Sequence, residues 1–321
     1  MTMRHVVAIG TLTLVAGPAA AQPYRGSPDL EPGLAGRDDI VLFEDFELPG
    51  WESHWTSVSY TDNHDAVAEA AFQGARGLVF RVPAGQHYGG ALDFGFAAAG
   101  LAEPEEIYFR YYVRFDPSWE LAARDGEIGK LPGFGGTYGV AGWGGRRSDG
   151  SNGWSARMMN WDTGTGNAVG FYTYHADMGT WGTHMRWAPD LERERWYCIE
   201  AYARMNTIAG GTGNRDGGLR GWIDGAPAFE RTDLRFRDVD RLRIEKIWFN
   251  IYVGGSWTAD HDMQIHFDNV VVARNRIGCW TPGGADGDAD ADVAADADGD
   301  ADVAPGADAD ADVGDDAPAA D

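Results

Sequence analysis

No stretch of the 321-residue sequence repeats convincingly at the helical period, and basic residues are scarce. There are 26 Lys and Arg against 50 Asp and Glu, a formal net charge of −24. The first shortage argues against a helical or alternating α/β fold. The second argues against nucleic acid as a partner, since phosphate backbones are bound by basic surfaces. Past the N-terminus no apolar run is long enough to span a membrane. Cysteine is limited to Cys198 and Cys279, and in an exported chain such a pair is expected to form one disulfide, with two buried thiols as the alternative.

Export is expected from the first residues. Arg4 and His5 precede a short apolar run, Val6 to Ala16, and Ala19-Ala20-Ala21 supplies small residues for cleavage. Residues 1–21 therefore read as a signal peptide for secretion, cleaved after Ala21. Residues 22–37 are rich in Pro and Gly and read as a flexible leader. Residues 283–321 contain only Asp, Ala, Gly, Val and Pro. They hold 14 aspartates and no basic residue, too little apolar surface to offset the entropy of ordering, so a disordered acidic tail is expected. Its Asp-Gly-Asp runs lack the spaced bidentate Glu of a calcium loop. The span 38–282 remains as one domain with a real core.

That span reads as all-β. Ile107 to Phe115 alternates most clearly, with Ile107, Phe109, Tyr111, Val113 and Phe115 on one face and Tyr108, Arg110, Tyr112 and Arg114 on the other. The second face is either solvated or lines a groove. Further strands are indicated at 40–47, 77–82, 91–96, 196–205, 218–223, 244–253 and 263–273, with Asp224-Gly225 as a hairpin turn. Many short strands between Gly, Asp and Asn loops indicate a β-sandwich or jelly roll. Thirteen Trp and 45 Gly suit a carbohydrate groove floored by flat rings.

The stretch Gly129 to His175 is the most informative. It sets Lys130 in a turn-like Gly129-Lys130-Leu131-Pro132-Gly133 box, followed by Ser155/Arg157 and Tyr172/Tyr174. Residues two apart on a strand share a face, so strands over 153–160 and 168–175 would present a cation, a hydroxyl and two phenols together. Tyrosines in strands also commonly fill half-buried surface. Other chemistries lack their residues. No strand carries the alternating acids of a sandwich glycosidase. His261, Asp262, His266 and Asp268 form no closed ligand set, so no metal and no cofactor is expected. Ser155 has no Gly-x-Ser-x-Gly context.

The runs Tyr108–Trp119, Gly129–Gly136, Trp154–Met158, Phe171–His175 and Phe267–Val271 resemble polysaccharide lyase family 14, the alginate and glucuronan lyases. The resemblance covers most of residues 40–275. It implies a concanavalin A-like jelly roll that cleaves polyuronates by β-elimination. Carried over position by position, it implies Lys130, Arg157, Tyr172 and Tyr174 as catalytic residues and Ser155 as a substrate-binding one. Arg157 suits a substrate carboxylate, because its planar fork pairs with one. The assignment of base and acid among Lys130, Tyr172 and Tyr174 stays open.

An acidic chain acting on a polyanion requires a locally basic groove, for which Arg110, Arg114, Lys130, Arg146, Arg147 and Arg157 are candidates. Arg110, Tyr112 and Arg146 are accordingly expected to bind substrate. The expectation is a secreted, monomeric lyase acting on an acidic polysaccharide. The alternative is a non-catalytic carbohydrate-binding protein on the same fold.

Overall fold

A computed structural model describes residues 26–27, 29–121, 128–164, 166–254 and 257–280, all within the unit Met1–Ala289. The expected signal peptide and acidic tail lie outside the described residues. The strands in chain order are β1 (Ile40–Glu44), β2 (Ser57–Ser59), β3 (His64–Val67), β4 (Gly77–Val82), β5 (Tyr88–Gly95) and β6 (Glu106–Phe115). Then come β7 (Gly129–Gly136), β8 (Trp154–Asp162), β9 (Asn167–Tyr174), β10 (Thr183–Arg186), β11 (Trp196–Arg204), β12 (Ile208–Ala209) and β13 (Thr212–Gly213). The last are β14 (Gly217–Ile223), β15 (Ala226–Leu234), β16 (Lys246–Val253) and β17 (Met263–Ala273). Among the described residues helix is confined to four single 3-10 turns.

Two antiparallel sheets form a sandwich. One has the order β15-β14-β11-β6-β17-β4-β3, with β1 also on β17; the other runs β10-β9-β8-β7-β16-β5-β2. The non-sequential neighbours are those of a jelly roll. Alternation decides which side chains meet between the sheets. Ile107, Phe109, Tyr111, Val113 and Phe115 of β6 are all buried. They share one core with Phe80, Phe134, Phe171, Phe249 and Phe267. Aromatic edges meet faces there, as for Phe249 and Phe267 with centroids 4.9 Å apart. Asp224 (φ +51) and Gly225 (φ +80) make the turn between β14 and β15, matching the primed turn that the sequence indicates.

Three readings are settled or corrected. Cys198 and Cys279 are bonded, closing 81 residues of chain. Part of the expected leader packs against the fold. Glu31 and Leu34 are buried, and Leu34 joins Ile40, Phe43 and Val271 in a small apolar cluster. Finally, the turn-like box around Lys130 is a strand in the middle of a sheet. Its glycines serve close approach: a Cβ on Gly133 would sit 2.4 Å from the Ala156 carbonyl oxygen, and one on Gly136 would sit 2.0 Å from Trp154 Nε1.

Candidate active site

The outward face of the seven-stranded sheet collects the polar residues. β8 pairs Ser155 with Tyr174 and Arg157 with Tyr172, and opposed residues of an antiparallel pair share a face. Lys130 reaches that face through a bulge in β7. Leu131 pairs with Met158 and Gly133 with Arg157, so Pro132 is the extra residue. In a regular strand Lys130 and Gly133, three apart, would point to opposite sides. The bulge restores them to one side, and proline, having no N–H to pair, fits the unpaired position. β16 adds Trp248, opposite Gly133, and Tyr252, opposite Lys130, with Asn250 between them.

The Lys130 amine lies 3.4 Å from the centroid of the Tyr172 ring. The residue is only 4% exposed, and its Nζ has no hydrogen-bond partner among the described residues. Burial holds its pKa well below the ordinary lysine range, and the neighbouring Arg157 charge lowers it further. The Arg157 guanidinium stacks 4.1 Å above the Trp248 ring, and its Nη1 donates to Asn250 Oδ1 at 2.9 Å. Burial pushes Arg157 down to about 10, against nearby Tyr174, which raises it. It therefore stays charged at neutral pH.

Both phenols are held by backbone donors from glycines. Gly145 N–H donates to Tyr174 Oη and Gly182 N–H to Tyr172 Oη, each at 3.2 Å. The two phenols also hydrogen-bond each other. Burial, then Tyr174, pushes the Tyr172 pKa up, so Tyr172 is protonated at neutral pH. Desolvation outweighs the neighbouring Arg157 charge, which by itself would ease its ionisation. Ser155 donates to the Gly142 carbonyl at 2.6 Å and is buried. Its hydroxyl proton is committed to the loop that carries Gly145.

The expected cations divide. Lys130, Arg146, Arg147 and Arg157 make no ion pair among the described residues. Lys246, on the same face, is bound by Asp93 at 2.7 Å. Arg110 and Tyr112 are corrections: both belong to β6 of the other sheet. Arg110 is fully buried and clamped by both Glu31 oxygens at 2.9 Å. Tyr112 stacks on Phe72 at 3.9 Å and accepts the Trp280 N–H. Arg114, beside them, bonds His266 and the Glu69 carbonyl. Arg110 and Tyr112 are thus covered by Glu31, Phe72 and the segment at Trp280.

Trp248 and Asn250 were missed. Their signal is present in 244–253, where Ile247, Phe249 and Ile251 claim the core and alternation sends Trp248, Asn250 and Tyr252 to the other face.

Fold and site together define a β-sandwich protein with a cationic, aromatic face on one sheet. The family model Polysaccharide lyase 14 matches residues 81–270, more than half of the chain. The chain belongs to this family, whose members are carbon–oxygen lyases acting on polysaccharides. The fold is similar to that of an alginate lyase from a Chlorella virus, over 73% of this chain and 99% of that one, at 19% identity and a TM-score of 0.58. An alginate lyase from Aplysia kurodai covers 71% of this chain and 95% of its own, at 18% identity and 0.55. An endo-β-1,4-glucuronan lyase from the fungus Trichoderma reesei covers 73% and 95%, at 15% and 0.50. No curated protein matches the sequence.

Proposed function

We propose that this protein is an extracellular lyase that cleaves a polyuronate by β-elimination on the Lys130–Arg157–Tyr172–Tyr174 face. The observation that carries this reading is the buried, unpartnered Lys130 amine beside a charged Arg157 that has no carboxylate. An uncompensated buried cation costs stability, and a substrate carboxylate is the group that would relieve it.

Arg157 pairs with that carboxylate and stabilises charge as the C5 proton leaves. Lys130, whose pKa burial lowers well below the ordinary lysine range, takes the C5 proton in its neutral form. The electron pair of the C5–H bond forms the C4–C5 double bond, and the C4–O bond breaks. Tyr172, held protonated, gives its proton to the leaving oxygen. Tyr174 and Ser155 hold the overlying loop in register through Gly145 and Gly142. No oxidant or cofactor is needed to balance the step. The disulfide supports an extracellular setting.

The test is incubation of the folded protein with alginate and with glucuronan, following ultraviolet absorbance of the unsaturated product. Absorbance should rise with at least one polymer and vanish in Lys130→Ala. No rise with any polyuronate would sink the reading. Binding without cleavage would favour a non-catalytic carbohydrate-binding protein.

A further inference from the structure

The residues around the site carry features that the elimination step does not use. Trp181, between β9 and β10, is 62% exposed, the highest value among the exposed large apolar residues described. An exposed indole offers a flat apolar face on which a sugar ring can stack. Its ring packs on Gly145, where a Cβ would lie 3.1 Å from Trp181 Cζ3. Gly145 is also the residue whose N–H holds Tyr174, so Trp181 is registered to the site.

Arg146 follows directly. Its guanidinium lies 4.7 Å over the Trp143 ring, and Trp143 meets Trp248 edge-on at 6.4 Å. Trp248 in turn carries Arg157. Guanidinium and indole thus alternate from Arg157 out to Arg146, beside the bare Trp181 face. Some exposed arginines have carboxylates, as Arg186 has Asp190, Arg220 has Glu230 and Arg231 has Asp233. Arg146 has none among the described residues.

We propose that Trp181 and Arg146 form an outer subsite for a further anionic sugar residue of the polymer, beyond the one held at Arg157. The indole stacks on the apolar face of the sugar ring, and the guanidinium pairs with its carboxylate. This proposal rests on the polyuronate reading above and adds the dependence on chain length.

Trp181→Ala and Arg146→Gln are compared with the native protein on a uronate trimer, a hexamer and the polymer. KM should rise about tenfold on hexamer and polymer, with kcat retained and less than about a twofold change on the trimer. An unchanged KM, or an equal rise at every length, overturns the subsite. Calorimetric titration of hexamer into Lys130→Ala, with and without Trp181→Ala, separates the two claims. If the native protein cleaves nothing yet hexamer affinity falls about tenfold with Trp181→Ala, the lyase reading fails and the subsite stands. Equal affinity, or no hexamer binding at all, overturns the subsite.

Discussion

The outer faces of the two sheets are built from the same residue types and come to opposite ends. On the eight-stranded sheet, Arg110, Tyr112 and Arg114 are covered. A terminal segment brings Glu31 to Arg110, Phe72 stacks on Tyr112, and the Cys198–Cys279 bond ties down the segment that holds Trp280. On the seven-stranded sheet, Lys130 and Arg157 are buried against aromatic rings with no carboxylate supplied. The first face pairs its buried Arg110 charge internally with Glu31. The second leaves its cations for a ligand, which is how binding sites differ from cores. The residue types alone do not separate the two faces; the counter-charge does.

Exchanging the roles of the two faces by mutation gives the largest expected effects. Lys130→Ala should lower kcat by about 10³-fold or more while the protein stays folded, measured by product absorbance and circular dichroism. Arg110→Ala should do the reverse. It strands Glu31 and should cost about 3–5 kcal/mol in denaturant unfolding, with kcat unchanged below the transition. Cys198→Ala with Cys279→Ala should cost about 4 kcal/mol by loop entropy, again with kcat preserved in the folded fraction.

A pH profile sharpens the same contrast. Lys130 must be neutral to accept a proton, and its pKa is lowered. The acid limb of kcat/KM should therefore fall as pH drops through that lowered value, below the ordinary lysine range. Tyr172 must keep its proton, and its pKa is raised. Arg157 must also stay charged and is pushed down to about 10, so the alkaline limb should be set by Arg157, with Tyr172 still protonated. The smallest effects are predicted at two supporting points. Asn250→Ala should lower kcat/KM about tenfold by freeing Arg157, with Asn250→Gln partly restoring it. Lys130→Met should raise stability at neutral pH, because methionine needs no proton released on burial. The gain should shrink as pH rises toward the ordinary lysine value, because the unfolded lysine then also loses its proton.

Much of this was legible in the residues. The period of two in 107–115 and 244–253 named the core faces, because a pleated strand leaves no choice about which side chains share a side. Spacing put Ser155 with Arg157 and Tyr172 with Tyr174 for the same reason. Two cysteines left one possible intrachain pairing. Tertiary structure decided the rest. Whether Arg110 lines a groove depends on Glu31, 79 positions away, and no local pattern encodes that meeting. The place of Lys130 depends on a bulge at Pro132, which changes side-chain parity and makes a turn-like box into a central strand. The states of Lys130 and Tyr172 depend on burial, a property of everything packed around them. Sequence thus determined the strands, their faces and the candidate residues, because those follow from local geometry. Only the folded structure determined which cations are left unpaired, because that depends on which distant carboxylates the fold brings near.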